Sequence, residues 1–217
     1  MIQKTVGGGN SLKATKTLSL VNLPLVGLEY SGKSTILHQL RANHVGHIGS
    51  CRSLFTFQKG DQKFDIVIRF NSMQDEFRNF PVDLLVEKCQ GMFRKHIGNV
   101  DVFIPAMCVL INRDDGTLRT DYVSEPLNEC KHIEELQTAL IFLNVSPEFL
   151  VYSAPQVYKN RKTAERAVAE FERLKKELER DFVCENINGD RSLTQLKDIV
   201  NDLEKLIIKY RKQSEDA

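Results

Sequence analysis

Apolar residues in the first two thirds of the chain gather in short runs, whereas beyond Lys159 they recur every three or four positions. Leu18 to Val26 is rich in Leu and Val, and Pro24 within it argues against a helix, so it reads as a fully buried strand. Val102 to Ile111 is apolar and β-branched and reads as a second buried strand in spite of Pro105. Leu54 to Phe57 and the alternating FDIVIRF of Phe64 to Phe70, with Gly60-Asp61 between them, predict a hairpin. Ala139 to Leu143 and Phe149 to Tyr152 add two further strands. Helices are expected over Thr35 to Ala42, over Gln74 to His96 with an interruption at Pro81, and over Val123 to Gln137. Two longer helical stripes follow. Ala164, Ala167, Val168, Phe171, Leu174 and Leu178 form the first, and Leu193, Leu196, Val200, Leu203, Leu206 and Tyr210 the second, with Asn188-Gly189-Asp190 as the break.

Strands alternating with helices predict an α/β fold with a mostly parallel sheet. Residues 1–16 are polar and Gly-rich and are expected to form a flexible tail, residues 17–185 the domain, and residues 186–217 a C-terminal helical extension. The 30 basic and 29 acidic residues leave a formal charge of +1, which gives no support for binding nucleic acid or a membrane surface through bulk charge. With 41% hydrophobic residues the chain can bury a substantial core. No apolar run approaches the length of a membrane span, and no secretory apolar region stands near the N-terminus. Ile2 after Met1 and KQSEDA at the end predict no lipid anchor. Cys51, Cys89, Cys108, Cys130 and Cys184 are odd in number and make no CxxC pair, so a cytoplasmic setting with buried, reduced thiols is expected.

Candidate chemistry concentrates in one segment. Gly27-Leu28-Glu29-Tyr30-Ser31-Gly32-Lys33-Ser34 fills every fixed position of GxxxxGK[ST] and lies between a buried strand and an amphipathic helix. The glycines let the backbone curl so that successive N–H groups point at phosphate oxygens. The helix starting near Lys33 adds its N-terminal partial charge. Lys33 can reach the terminal phosphates and the Ser34 hydroxyl can ligate Mg²⁺, with Glu29, Tyr30, Ser31 and Thr35 completing the expected nucleotide-binding segment. A P-loop nucleotide-binding fold, a three-layer α/β sandwich, is the resulting expectation.

The stretch VGLEYSGKSTILHQLR, Val26 to Arg41, resembles the start of the ADP-ribosylation-factor-like branch of small GTPases, with Glu29 where that branch usually has Asp and Ser34 where it often has Thr. The resemblance implies GTP/GDP and Mg²⁺ as ligands, and protein partners that read switch-like loops, with the C-terminal helices as a second docking surface. Aligned on the family's DxGGQ, Phe70 to Gln74 keeps the glutamine, Gln74, that would orient an attacking water, but Phe70 replaces the metal-holding Asp and both glycines are gone. The switch threonine would fall near Cys51, with Ser50 or Ser53 as the adjacent hydroxyls. For the base, Asn112-Arg113-Asp114-Asp115 imitates NKxD, yet strand order points to the loop after Asn144; Ser153-Ala154 resembles the family's SA loop.

Three functions stay open at this level: an atypical GTPase with weak hydrolysis, a pseudo-GTPase scaffold, and a P-loop kinase of a small metabolite. Arg161 and Arg166 could serve the last as a phosphate lid, although alternation with glutamates suits a solvated helix face better. His44, His47 and Cys51 lack a fourth ligand for a metal site.

Overall fold

The computed structural model describes residues 19–44, 54–69, 81–112, 115–190 and 195–216. The first apolar run forms two short strands, β1 (Leu20–Asn22) and β2 (Leu25–Leu28), on one course through the sheet. Pro24 has no N–H for the ladder and separates them. Pairing continues across the break, since Leu23 N–H donates to Phe103 O (2.9 Å) and Pro24 O accepts from Ile141 N–H (2.9 Å). Helix α1 (Lys33–Asn43) follows, then the hairpin β3 (Leu54–Lys59) and β4 (Gln62–Arg69), α2 (Val82–His96), β5 (Val102–Ile111) and the short β6 (Leu118–Arg119). The chain continues through α3 (Asp121–Cys130), β7 (Leu136–Asn144), α4 (Pro147–Ser153), α5 (Arg161–Leu178), β8 (Val183–Asn188) and α6 (Leu196–Asp216).

Across the sheet the order is β8, β7, the β1/β2 course, β5, β4 and β3, with β6 hydrogen-bonded to β5. All pairings are parallel except β3 with β4 and β5 with β6. Alternate residues therefore face two different helical layers. Ile66 and Ile68 of β4 and Ala139, Ile141 and Leu143 of β7 pack with Ile36, Leu37 and Leu40 of α1 and with Ile199, Val200, Leu203 and Ile207 of α6. On the opposite face Leu140 and Phe142 meet Ala167, Phe171 and Leu174 of α5, while Val67 and Phe103 meet Leu85, Cys89 and Phe93 of α2. The fold is an α/β three-layer sandwich with a mostly parallel sheet and a P-loop at its centre.

Three stretches depart from the sequence reading. Phe149 to Tyr152, expected as a strand, lies in helix α4. Ser146 caps it by accepting from Phe149 N–H (3.2 Å), and Pro147 at the first helical position is pre-set for the turn, which together override the β preference of Phe, Val and Tyr. Val183 to Asn188, where only a break was expected, is a strand pairing in parallel with β7 over its whole length. The helix expected over Val123 to Gln137 ends at Cys130, and β7 begins at Leu136.

The boundary expected at 185/186 falls inside β8, and the C-terminal helix lies on the sheet with its apolar stripe buried beside α1. Val200 and Leu203 of that stripe are core, Leu196, Leu206 and Tyr210 are half-buried against it, and Leu193 lies outside the described residues. Buried Glu204 of α6 accepts from Lys59 of β3 and faces His44 Nε2 at 3.1 Å, tying the last helix to the end of α1 and to the hairpin. Cys89, Cys108 and Cys130 are buried free thiols and Cys184 is half-buried; Cys51 lies outside the described residues. No described helix is long and apolar enough to cross a membrane.

Candidate functional site

Strand β2 lies between β5 and β7, so the segment Glu29 to Gly32 emerges in the middle of the sheet's C-terminal edge, where open α/β sheets bind ligands. Gly27 must be glycine. A Cβ there would stand 2.8 Å from Ser31 Oγ and 3.3 Å from Leu143 O. Gly32 has φ +90° and caps α1 without any side-chain hydrogen bond, leaving the first-turn N–H groups facing the loop without a capping side chain. Tyr30 also has positive φ, 60°, a conformation that costs a non-glycine residue about 1–2 kcal/mol.

Lys33 is folded back under this curl, only 5% exposed. Its Nζ donates to Gly27 O (2.9 Å), to Leu28 O (2.7 Å) and to Ser31 Oγ (3.2 Å), with Cys108 Sγ at 3.7 Å. Burial holds the ammonium below the ordinary lysine range, opposed by the nearby Cys108 and Glu29. An ammonium has three N–H donors. Two are committed to carbonyls that fix its position, and the third rests on the weak pair Ser31 and Cys108, from which a phosphate oxygen can take it without moving the anchor. Ser34 and Thr35, next along α1, are exposed.

Glu29 behaves differently from the sequence expectation. Its carboxylate is 1% exposed and Oε2 accepts from Ile111 N–H of β5 (3.0 Å), while its carbonyl accepts from the buried Tyr158 hydroxyl (3.0 Å). The side chain braces the loop against β5 instead of meeting an anion, which a carboxylate would repel. Tyr158, Ile111 and Cys108 are thus site residues that sequence reasoning missed; each acts from far along the chain. Tyr158 had one usable signal, an isolated aromatic in an otherwise polar segment.

Ser153 ends α4 with its hydroxyl 3.5 Å from Tyr30 O, so it borders the phosphate loop. Ala154 is fully buried and its N–H closes the helix on Leu150 O (3.0 Å), so it faces the core and cannot touch a base. The pair follows a helix, not a strand, and the SA-loop likeness does not hold in its surroundings.

Of the two base-recognition candidates, Asn144 is engaged: its amide donates to Asn186 Oδ1 (3.0 Å) and accepts from Lys175 Nζ (3.2 Å). Asn112 and Asp115, whose carboxylate accepts from Thr117 N–H (2.9 Å) and hydroxyl (2.6 Å), border a cavity of about 560 Å³ that Lys159, Lys162 and Arg166 also line. Ile111 also lines it, so the cavity adjoins the phosphate loop through Glu29. Arg113 and Asp114 lie outside the described residues, as do Gln74, Ser50 and Ser53.

Strand β4, which would lead into a DxGGQ segment, ends with Arg69 opposite Pro105, whereas Leu28 at the loop pairs with Val109 four residues nearer the C-terminal edge. With β5 interposed, that end stands two strand spacings, about 10 Å, from the β2 course. Phe70 to Gln74 lie outside the described residues; the strand that adjoins the loop is β5, which runs into Asn112.

Among the described residues no cluster of three His, Cys, Asp or Glu is ready to hold a metal. The exposed Ser34 hydroxyl on the first turn of α1 fits the hard-oxygen donor set of a Mg²⁺ that is held chiefly by nucleotide phosphates and water.

No protein-family model matches the chain, and no curated protein matches it. Among solved structures it is similar to a shikimate kinase from Bacteroides thetaiotaomicron, at 15% identity and TM-score 0.41, covering 86% of this chain and 98% of that one. It is also similar to a gluconokinase from Sinorhizobium meliloti (11% identity, TM-score 0.36, 92% and 98% covered) and to an uncharacterized protein from Eubacterium ventriosum (12%, 0.35, 90% and 99%). These are likenesses of outline; the P-loop character rests on the chain's own strand, curl and helix from Leu25 to Asn43.

Proposed function

We propose that the chain binds a nucleoside di- or triphosphate through residues 27–35 and transfers the terminal phosphoryl group to a small acceptor held in the adjoining cavity. The observation that carries the nucleotide half is Lys33, anchored on two carbonyls with its third N–H on the weaker pair Ser31 Oγ and Cys108 Sγ, beside the N-terminus of α1, which no side chain caps. Phosphoryl transfer asks little covalent chemistry of a protein; it needs the two reactants aligned and the phosphate charge offset. Lys33 and the first-turn N–H groups offset charge on the transferring group. Mg²⁺, held at Ser34 when nucleotide binds, would supply further neutralisation. Lys159 and Lys162, on the same wall as Arg166, which is paired with Glu170 (2.9 Å), suit an acceptor that is itself anionic.

The Val26 to Arg41 pattern favours a second reading, a GTPase-like protein with slow or absent hydrolysis whose loops dock protein partners. One experiment separates the two. Binding of ATP, GTP, ADP and GDP is measured calorimetrically with Mg²⁺, and diphosphate release is then followed with and without a panel of small phosphate, carboxylate and hydroxyl acceptors. The kinase reading expects release that depends on an acceptor. Equal release without any acceptor supports the hydrolase, and no nucleotide binding at all overturns both.

A further inference from the structure

Among the described residues only three large apolar side chains are strongly exposed; one, Tyr30 (40%), lies in the phosphate loop, and another, Tyr152 (88%), precedes Ser153, which borders the loop. Tyr30 is the fourth residue of the loop itself. Tyr152 is next to Ser153, whose hydroxyl lies 3.5 Å from the Tyr30 carbonyl. Both are carried on fixed backbone. Glu29, before Tyr30, is pinned by Ile111 and Tyr158, and α4 is capped by Ser146 and rooted through fully buried Leu150. Tyr30 keeps a left-handed φ that glycine would adopt without strain. An aromatic ring retained at a strained, solvent-facing position beside a ligand site needs a use.

We propose that Tyr30 and Tyr152 form the nucleoside subsite, holding the base of the bound nucleotide by stacking on an aromatic face. The proposal rests on the nucleotide reading above and adds to it the part of the ligand that lies beyond the phosphates. The occupant follows from continuity: a nucleotide whose phosphates sit at Lys33 and the start of α1 must lay its nucleoside within reach of the loop's rim. Every base offers a π-face, so recognition by stacking tolerates a change of base. It is also consistent with Asn144, the polar candidate after β7, being engaged by Asn186 and Lys175.

The test compares ATP, GTP and inorganic tripolyphosphate, each with Mg²⁺, on the wild-type chain and on Tyr152→Ala, Tyr152→Phe and Tyr30→Gly. Loss of one stacking ring should weaken ATP and GTP by roughly 10-fold. Tripolyphosphate affinity should not change in Tyr152→Ala, which lies outside the loop, and Tyr152→Phe should restore nucleotide binding. Because the chain has no tryptophan, tyrosine emission provides a second readout. ATP should quench it, tripolyphosphate should not, and the quench should shrink in Tyr152→Ala. Unchanged nucleotide affinity in both Tyr152→Ala and Tyr30→Gly, with tripolyphosphate still bound, overturns the subsite alone. Equal weakening of tripolyphosphate in Tyr152→Ala also overturns it, since the loop and not the base would then be affected. A wild-type chain that binds neither nucleotide nor tripolyphosphate overturns the nucleotide reading and the subsite with it.

Discussion

Replacing Gly27 by alanine inserts one methyl group at the most crowded point of the phosphate loop. The new Cβ would lie 2.8 Å from Ser31 Oγ and 3.3 Å from the Leu143 carbonyl. The carbonyl belongs to a central strand and has little room to move, so the loop must give. Ser31 Oγ accepts from Lys33 Nζ at 3.2 Å, which means that displacing the hydroxyl also disturbs the lysine anchor. Overpacking of this kind costs about 1–3 kcal/mol. For a chain of this size each kcal/mol lowers Tm by about 2–4 °C, so Gly27→Ala should melt roughly 2–12 °C lower. Nucleotide affinity should fall as well. A double-mutant cycle isolates the contact: in a Ser31→Ala background the 2.8 Å clash is absent, and the second substitution should cost measurably less, with a coupling of about 0.5–3 kcal/mol. The assay is thermal unfolding by circular dichroism on the four proteins, with a calorimetric ATP titration of each. An unchanged Tm in Gly27→Ala, or strictly additive effects in the cycle, would refute the geometry.

Ser146→Ala removes the cap of α4 and should lower stability by about 1 kcal/mol, read as a drop in Tm. Tyr158→Phe deletes the buried hydroxyl that donates to Glu29 O; a loss of about 1 kcal/mol and faster amide exchange across residues 28–32 are expected. Burial works to raise the Glu204 carboxyl, but the Lys59 ammonium and then His44 outweigh it and hold the group below the ordinary carboxylate range. A depressed carboxyl contributes stability above its unfolded pKa and loses it as pH falls through the folded value. Melting temperatures should therefore decline on acidification below about pH 4.5, and Glu204→Gln should flatten that decline. A variant that retains the full wild-type slope would assign the acid sensitivity elsewhere.

The phosphate loop was legible because its function lies in the backbone, and backbone curls demand particular residue types at fixed spacing. Gly27, Gly32 and Lys33 follow from that demand alone. The buried strands were legible for a similar reason: β5, and Ala139 to Leu143 of β7, are buried throughout and keep unbroken apolar runs. Strand β8 was not, because it is an edge strand with half its residues exposed, so VCENIN carries mixed polarity. Helix α4 was hidden by the β-prone Phe149, Val151 and Tyr152, although Ser146-Pro147-Glu148 just before them is a helix start. Sheet order leaves almost no local trace. Nothing within Gln62 to Arg69 says that β5 stands between it and the phosphate strand. The braces from Ile111, Tyr158 and Cys108 are contacts across 75 to 129 positions and could emerge only from the folded chain.

The account stands on the grip of Lys33 and its loop on a polyphosphate. The direct measurement is calorimetric titration of Mg²⁺-ATP into the wild-type chain and into Lys33→Ala, with circular dichroism establishing that the variant is folded. Loss of a charge-assisted hydrogen bond worth about 1.5–3 kcal/mol predicts wild-type binding weakened by roughly 10- to 150-fold in the variant. Equal affinity in a folded Lys33→Ala, or no binding by the wild-type chain, would contradict it.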